Sequence, residues 1–242
     1  MKIGQKIVYL DSVDSTNNYV AKLSKASSIE HGTAIMADVQ TAGKGQRGAL
    51  WQAKTSENIL VSIFLKPDNL SVSEQVLLTF FAANSIREIL RKFGISATVK
   101  WPNDVYVGSK KIAGILIENS VTNQFITSSI LGIGLNVNQL EFEGLNATSL
   151  QLETGVFHQR NELLFMLLNQ LSKNWELVLE NSPKLKEDFV DNMFRINKRS
   201  KFQKETSFFY GIIRGIDKNG LLLIEVDGSL ISFDLKEIKF VL

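Results

Sequence analysis

The sequence predicts a mixed α/β domain over residues 1–194, followed by a small β-barrel domain over residues 195–242. In the first part, apolar runs of strand length alternate with two long amphipathic segments of helical period. In the second part the pattern changes to a meander of short apolar runs, interrupted by Asn219-Gly220 and Asp227-Gly228. Such dipeptides are the strongest short-range signal for β-hairpins, and a meander of this kind favours a small barrel.

The composition describes an ordinary globular protein with few of the common catalytic side chains. The 242 residues include 27 Lys and Arg, 25 Asp and Glu, 2 His and no Cys, and 44% of them are hydrophobic. The absence of Cys excludes disulfides, thiol nucleophiles and cysteine zinc sites, and two His leave little material for a metal site. No signal peptide is recognisable, and no apolar run approaches the roughly 20 residues that span a bilayer, so we predict a cytoplasmic protein.

The individual elements follow from capping signals, periodicity and turns. Helices are predicted where a capping residue or proline precedes apolar residues at helical spacing, over residues 16–25, 73–93, 161–179 and 183–194. Strands are predicted where apolar or alternating runs lie between turns, over residues 34–39, 58–66, 98–101, 104–107, 112–118, 124–137, 208–217, 221–226 and 230–235.

A glycine-rich polar segment, residues 40–51, joins the first two of these strands. Its glycines are Gly43, Gly45 and Gly48. Several glycines close together allow backbone N–H groups to converge on an anion, and Lys44 and Arg47 add positive charge. Because no helix follows, the segment is neither a Walker A loop nor a dinucleotide fingerprint. A polar hairpin loop without a ligand is the alternative.

The segment 100–104, Lys-Trp-Pro-Asn-Asp, sets polar residues between two predicted strands. Proline restricts the preceding residue to extended conformations. A plain tight turn needs no Lys-Trp before Asn103 and Asp104, which favours a functional segment. A core position for Trp101 is the structural alternative, since large aromatic residues are mostly buried.

A lysine pair, Lys110 and Lys111, precedes a small-residue step inside the strand predicted at 112–118. Glycine weakens a strand, so the close approach of a ligand explains Gly114. A β-bulge with both lysines solvated is the alternative.

Two further glycines, Gly132 and Gly134, alternate with apolar residues in the last strand of the first domain. Side chains alternate along a strand, so both glycines share one face with Asn136. A bent, tightly packed strand explains this pattern as well as a ligand does.

Taken in chain order, these motifs resemble those of the biotin protein ligases, also called biotin–[acetyl-CoA-carboxylase] ligases. The matching segments are 14–17 (Asp-Ser-Thr-Asn), 40–51, 100–104, 111–116 and 132–136, together with the C-terminal meander from Gly215. The resemblance covers nearly the whole chain. It implies a mixed sheet like that of class II aminoacyl-tRNA synthetases and biotin–lipoate ligases, with an SH3-like barrel as the second domain.

The resemblance implies a two-step reaction with biotin as substrate and ATP and Mg²⁺ as cofactors. Biotin and ATP give biotinoyl-AMP and pyrophosphate, and the ε-amine of one lysine on a biotin carboxyl carrier protein then takes the biotinoyl group. The first step joins two anions, so cations and N–H donors must offset their repulsion. The carrier protein is the implied partner, without a membrane or specific DNA, and a homodimer is compatible with the family.

The resemblance also assigns residues. Catalysis through charge is expected of Lys111, Lys44 and Arg47. The residues expected to bind biotin are Ser15, Thr16, Asn17, Gln40, Lys111, Gly114, Gly132 and Gly134. The residues expected at ATP and the adenylate are Gly43, Lys44, Gly45, Gln46, Arg47, Trp51, Lys100, Asn103, Asp104 and Asn136. Asp104 is also the candidate ligand for Mg²⁺.

The sequence departs from the family in two places. The loop pattern Gly-Arg-Gly-Arg-x-Gly-Arg has Lys44, Gln46 and Ala49 in place of its three arginines. Lys keeps the charge of Arg without its bidentate fork, so we hypothesise that backbone N–H groups hold the adenylate more than side chains do. Some members also carry an N-terminal winged helix-turn-helix that represses biotin operons. Here the first motif begins at Asp14, and we expect ligation without operator binding.

Two other functions stay open. A lipoate ligase or lipoyl/octanoyl transferase shares the expected fold and adenylation chemistry, although segments 15–17 and 100–104 favour biotin. A non-catalytic sensor of biotin or adenylate is the second, and the presence of Lys111 argues against it. ATP–pyrophosphate exchange with biotin or with lipoate discriminates among the three.

Overall fold

The computed structural model describes residues 2–26, 28–235 and 237–241, without the side chain of Arg47. Its strands in chain order are β1 (Ile7–Val13), β2 (Ala34–Gln40), β3 (Ile59–Leu65), β4 (Ala97–Lys100), β5 (Asp104–Val107), β6 (Lys110–Thr122), β7 (Phe125–Leu135), β8 (Arg199–Lys204), β9 (Ser207–Ile216), β10 (Leu222–Val226), β11 (Ser229–Phe233) and β12 (Lys239–Phe240). Its α-helices are α1 (Thr16–Ala26), α2 (Val76–Lys92), α3 (Leu150–Thr154), α4 (Arg160–Leu179) and α5 (Pro183–Asp191). None of these helices has an apolar stretch long enough to cross a bilayer, as far as the described residues go.

The first seven strands form one mixed sheet in the order β1-β2-β3-β7-β6-β5-β4. β1 and β2 are parallel, because α1 connects them, and the remaining neighbours are antiparallel. α2 packs against α4 and α5 and covers one face of the sheet, while α1 lies on the other face against β3 and β7. The predicted mixed α/β domain is therefore confirmed.

The main core lies between the sheet and the helices α2, α4 and α5. Its largest fully buried side chains include Phe80, Phe81, Trp175 and Phe189. Phe80 and Phe189 join α2 to α5, with ring centroids 4.5 Å apart. Burying aromatic side chains of this size contributes most of the apolar free energy that holds such a layer on a sheet.

The face toward α1 changes from large to small side chains along the strands. The cross-strand pairs on this face of β3 and β7 are Phe64–Ile130, Ser62–Gly132 and Leu60–Gly134. Phe64 and Ile130 pack with Val20 of α1 in a second, smaller core. Toward the N-terminus of α1, the small residues Ser62 and Gly132 leave space between the helix and the sheet, and the candidate site occupies that space.

The last five strands form an antiparallel sheet in the order β11-β10-β9-β8-β12. The predicted meander is confirmed. The expectation of a small barrel is corrected in one respect, because within the described part of the chain the end strands β11 and β12 do not pair with each other and the sheet is not closed. β12 has two residues and β11 has five.

The C-terminal sheet packs directly on the rest of the molecule. Phe202 and Ile213 belong to the same continuous core as the α2 residues. The indole N–H of Trp101 donates to the carbonyl of Gly220 in the β9–β10 turn, at 2.9 Å. Trp101 is 7% exposed, so the core position considered for it is correct.

The predicted helices and strands are all present, with ends shifted by a few residues. Four short or edge elements were missing from the prediction: β1, α3, β8 and β12. β8 carries charged residues on its outer face and forms no apolar run, whereas β1 begins with a short apolar run over residues 7–10 that the prediction did not assign to a strand.

Candidate active site

A cavity of about 250 Å³ lies between the N-terminus of α1, the loop after β2 and the glycine-bearing parts of β6 and β7. It brings together predicted site residues from five separate segments: Ser15, Thr16, Asn17, Gln40, Lys44, Gly45, Gln46, Trp51, Asn103, Asp104, Lys111, Gly114, Gly132 and Gly134. Three predicted residues, Gly43, Lys100 and Asn136, do not line it. The side chain of Arg47 lies outside the described structure.

The N-terminus of α1 supplies a buried polar network at one end of the cavity. The side-chain oxygen of Gln40 accepts from the backbone N–H of Thr16 at 2.8 Å and from its hydroxyl at 3.0 Å. The hydroxyl of Ser62 lies 2.7 Å from Oγ1 of Thr16 and 2.5 Å from Oδ1 of Asn17. The amide of Asn17 donates to Glu118 at 2.7 Å, which fixes the direction of its carbonyl.

Ser62 and Glu118 were not among the predicted site residues. Ser62 is fully buried in a strand whose other residues are apolar, Ile59–Leu65. A single hydroxyl inside such a run needs a hydrogen-bond partner, and this was the signal in the sequence. Glu118 had no comparable signal, because it follows the apolar part of β6 as an ordinary exposed residue.

The glycines of β6 and β7 make room for side chains of the protein as well as for a ligand. A Cβ atom at Gly134 would overlap the indole of Trp51, and one at Gly114 would lie 2.8 Å from the same ring. A Cβ at Gly132 would overlap the side chain of Asn17. The small residues therefore seat Trp51 and Asn17 against the sheet, and only glycine fits at these positions.

Lys111 and Asp104 form an ion pair at the mouth of the cavity. Nζ of Lys111 lies 2.6 Å from Oδ1 of Asp104 and 5.2 Å from the centre of the Trp51 ring. The strand pairing places Asp104 opposite Gly114, three residues beyond Lys111. Both side chains are about one quarter to one third exposed, so an anionic ligand entering the cavity can reach the ammonium group.

The rest of the Lys-Trp-Pro-Asn-Asp segment holds this pair in place. The amide of Asn103 donates to the carbonyl of Ile115 at 2.5 Å, and the N–H of Ile115 donates back to the carbonyl of Asn103 at 3.0 Å. These two bonds clamp the turn to β6 beside Gly114.

Lys100 and Asn136 act beside the cavity instead of inside it. Nζ of Lys100 donates to the hydroxyl of Tyr106 at 3.1 Å and lies over the rings of Tyr106 and Phe240. Burial lowers the pKa of Lys100 and raises the pKa of Tyr106 to about 12. The amide of Asn136 donates to the carbonyl of Thr148 at 2.9 Å.

The glycine-rich loop is held together by hydrogen bonds between its own backbone groups. The N–H of Gly45 donates to Ala49 at 2.7 Å, that of Ala49 to Gln46 at 3.1 Å and that of Trp51 to Gly43 at 2.9 Å. Of the three glycines whose N–H groups were expected to converge on an anion, Gly45 therefore uses its N–H within the loop. The side chains of Lys44 and Gln46 line the cavity.

The residues that the structure describes do not form a magnesium site held by the protein alone. Among the described residues, no three His, Asp or Glu side chains lie together in a way that could hold a metal ion. Asp104, the predicted ligand, already pairs with Lys111. Magnesium needs about six oxygen ligands, so most of them would have to come from water or from a bound ligand.

The family model of the biotin/lipoate A/B protein ligase family matches residues 9–136. The bifunctional ligase/repressor BirA of Escherichia coli is 33% identical over 234 residues, which is 94% of this chain and 71% of that protein. The chain belongs to the biotin/lipoate A/B protein ligase family. The biotin–[acetyl-CoA-carboxylase] ligase of Mycobacterium tuberculosis is 31% identical, over 90% of this chain and 82% of its own.

A solved structure agrees with this assignment over the whole fold. The biotin protein ligase from Aquifex aeolicus, in complex with biotin and ATP, aligns with a TM-score of 0.80 at 29% identity, over 97% of this chain and 98% of that one. The named relatives are biotin ligases, so the resemblance inferred from the motifs is confirmed and the chain is a biotin ligase of this family.

Proposed function

We propose that the cavity at the N-terminus of α1 carries out both half-reactions of an ATP-dependent biotin–protein ligase. In the first, a carboxylate oxygen of biotin bonds to the α-phosphorus of ATP, the bond from that phosphorus to its bridging oxygen breaks, and pyrophosphate leaves. In the second, a neutral lysine amine of the carrier domain bonds to the activated carbonyl carbon, AMP leaves and the amine loses a proton. The observation that supports this proposal best is that a polar network and the partly exposed ammonium group of Lys111 line one cavity.

The polar network suits the ureido head of biotin. A ureido group has two N–H donors and one carbonyl acceptor, and the network offers hydroxyl and amide groups of both kinds from Ser15, Thr16, Asn17 and Gln40. The backbone surfaces of Gly114, Gly132 and Gly134 would lie along the apolar body of the ligand. Ser62 and Glu118 would orient the network without reaching the ligand.

The cationic end suits the phosphates. Lys111 would contact the biotin carboxylate and the α-phosphate, because its ammonium group lies at the cavity and is exposed enough to reach an anion there. Lys44 and Arg47 would hold phosphate oxygens together with the loop residues Gly43, Gly45 and Gln46. Trp51 would pack on the adenylate, and Asn103 and Asp104 would position Lys111. Lys100 and Asn136 would contribute through their neighbours.

Magnesium belongs to this proposal as the companion of ATP, supplying charge neutralisation on the phosphates. The carrier domain of a biotin-dependent carboxylase is the protein substrate. We further propose that residues 1–194 form the catalytic domain and residues 195–242 a C-terminal domain that packs on it, in a cytoplasmic enzyme. The expectations of no operator binding and of a homodimer stay predictions, checked by a gel shift with operator DNA and by light scattering.

The test is ATP–pyrophosphate exchange with labelled pyrophosphate, with biotin or lipoate as the acid. Exchange that depends on biotin and is absent with lipoate supports the proposal. Exchange with lipoate would select a lipoate ligase, and exchange with neither acid would select a sensor. Transfer to a carrier domain is followed separately by mass, since a shift by one biotinoyl group distinguishes complete ligation from adenylation alone.

A further inference from the structure

The outer face of the C-terminal sheet carries exposed aromatic rings beside cations. Phe208 and Tyr210 of β9 are 56% and 53% exposed. Lys201 of β8 lies opposite Tyr210, and its Nζ is 4.4 Å from the centre of the Phe208 ring. The guanidinium carbon of Arg199 is 4.9 Å from the centre of the Tyr210 ring. Each of these two cations therefore lies against one side of a ring, not against a carboxylate, and the rings stay more than half exposed.

These side chains share one face because strands alternate. Ser200 and Phe202 of β8 are buried, so Arg199 and Lys201 point away from the core. Lys239 of β12 pairs with Gln203 and adds a third cation beside them.

The charge on this face is nearly uncompensated. Arg214 pairs with Glu225 at 2.8 Å. The ion pairs found among the described residues do not include Arg199, Lys201 or Lys239. A face with two exposed rings and three such cations is complementary to an anion that also has aromatic groups.

We propose that this face binds single-stranded nucleic acid, a function separate from biotin ligation and from the recognition of operator duplexes. Phe208 and Tyr210 are two residues apart on one strand, about 6.6 Å, so each ring can take one base. Exposed aromatic residues on a β-sheet stack bases in this way, and flanking lysines and arginines hold the phosphates. An acidic polypeptide would account for the cations but not for the two rings, and a duplex does not expose base faces.

The experiment measures fluorescence anisotropy of a labelled thymidine dodecamer, and of its uridine counterpart, with the full chain. We expect micromolar binding that weakens about 20-fold between 50 and 200 mM salt, as three phosphate contacts predict. Phe208→Leu and Tyr210→Leu should each weaken binding about tenfold, because each removes one stacking platform. Both variants should retain the biotin ligation rate, which shows that they fold.

Matched variants elsewhere on the surface complete the test. Phe157→Leu and Phe165→Leu remove equally exposed rings, and the double change Lys173→Gln with Lys184→Gln removes two exposed cations of the helical side. These controls should leave the affinity within twofold. The proposal is overturned if the dodecamer does not bind at 50 mM salt, or if the ring variants bind like the unchanged protein. Equal binding of polyglutamate or of a duplex also overturns it, since neither ligand needs the rings.

Discussion

At the residue scale, the chemistry of the site depends on the direction of a few polar side chains. Lys111 is held by Asp104 at 2.6 Å, and Asn17 is held by Ser62 and Glu118. In both cases an ion pair or hydrogen bonds to neighbouring side chains fix the orientation of the group that faces the ligand. Two substitutions test these arrangements against nearby residues of the same type.

Lys111→Gln should lower kcat of biotin-dependent pyrophosphate exchange about 100- to 1000-fold, the usual loss when one preorganised group facing developing charge is removed. The size of the side chain is nearly kept, so the free energy of unfolding should change little. Lys110→Gln is the matched control, because Lys110 is the exposed neighbour that does not line the cavity. Equal activity of the two variants would show that Lys111 is not the catalytic cation.

Ser62→Ala should raise KM for biotin about tenfold and leave KM for ATP unchanged. The hydroxyl is fully buried, and its loss removes the one proton that it can donate to Oδ1 of Asn17 or Oγ1 of Thr16, which costs about 1–3 kcal/mol. Ser129→Ala, a buried serine of the adjacent strand that bonds to Asn119 instead, is the control and should keep the wild-type KM. A parallel rise in both KM values would indicate a general structural defect.

At the element scale, the long strands β6 and β7 shape the cavity because they have glycines, which lack side chains, where they line it. The glycines of both strands face Trp51 and Asn17, and the loop after β2 lays Trp51 across them. An added methyl group therefore acts on the loop, not only on the strand.

Gly134→Ala should displace Trp51, raise KM for ATP and biotin at least tenfold and lower the melting temperature, since overpacking costs about 1–3 kcal/mol. The double variant Gly134→Ala with Trp51→Phe should recover part of the stability, because phenylalanine lacks the second ring that the methyl group meets. Thermal unfolding of the two single variants and the double variant measures this coupling. Additive losses would show that the methyl group and the indole do not meet.

Gln46→Arg should slow the escape of biotinoyl-AMP into solution, because the arginine would restore a guanidinium at a position that lines the cavity. The release rate is measured by trapping the free adenylate after a single turnover. Gln124→Arg, at the exposed turn between β6 and β7, adds the same charge far along the strands and should leave the rate unchanged. An unchanged rate in Gln46→Arg would contradict the hypothesis that this loop holds the adenylate weakly.

At the scale of the whole molecule, the two sheets share one continuous core. Phe202 and Ile213 of the C-terminal sheet join the cluster that contains Phe189 of α5. The hydrogen bond from Trp101 to Gly220 and the position of Lys100 over Phe240 tie the functional Lys-Trp-Pro-Asn-Asp segment to the second sheet. A change at Gly220 or Phe240 of the C-terminal sheet can therefore reach the turn that holds Asp104.

Urea unfolding should accordingly give one transition, with tryptophan fluorescence and far-ultraviolet circular dichroism coinciding. Trp101→Phe should lower the free energy of unfolding by about 1–3 kcal/mol, because it leaves the Gly220 carbonyl without its donor. Trp51→Phe is the control for the hydrogen bond, since the Trp51 N–H has no partner among the described residues. Two separate transitions would instead support independent folding of residues 195–242.

Much of the fold and most of the candidate site follow from local patterns in the sequence. Helical periodicity predicted α2 and α4, and Asn-Gly and Asp-Gly dipeptides predicted the C-terminal hairpins. The strand β8 escaped prediction because the polar residues of its exposed side interrupt the apolar ones and leave no apolar run. A small barrel was predicted where the described strands form a sheet that is not closed, because a sequence shows the strands and turns but not whether the end strands pair.

The sequence by itself determined which residue types the site could use. Without Cys and with two His, it left positioned charge and hydrogen bonds, and the ordered motifs indicated Lys111, Asn17 and the glycines. Tertiary structure alone decided which of these face one cavity. In the folded chain Lys100 contacts Tyr106, Lys111 pairs with Asp104, and Ser62 and Glu118 bond to Asn17. Strand register and packing create these contacts between residues that are separated along the chain, and the sequence alone does not show which separated residues meet.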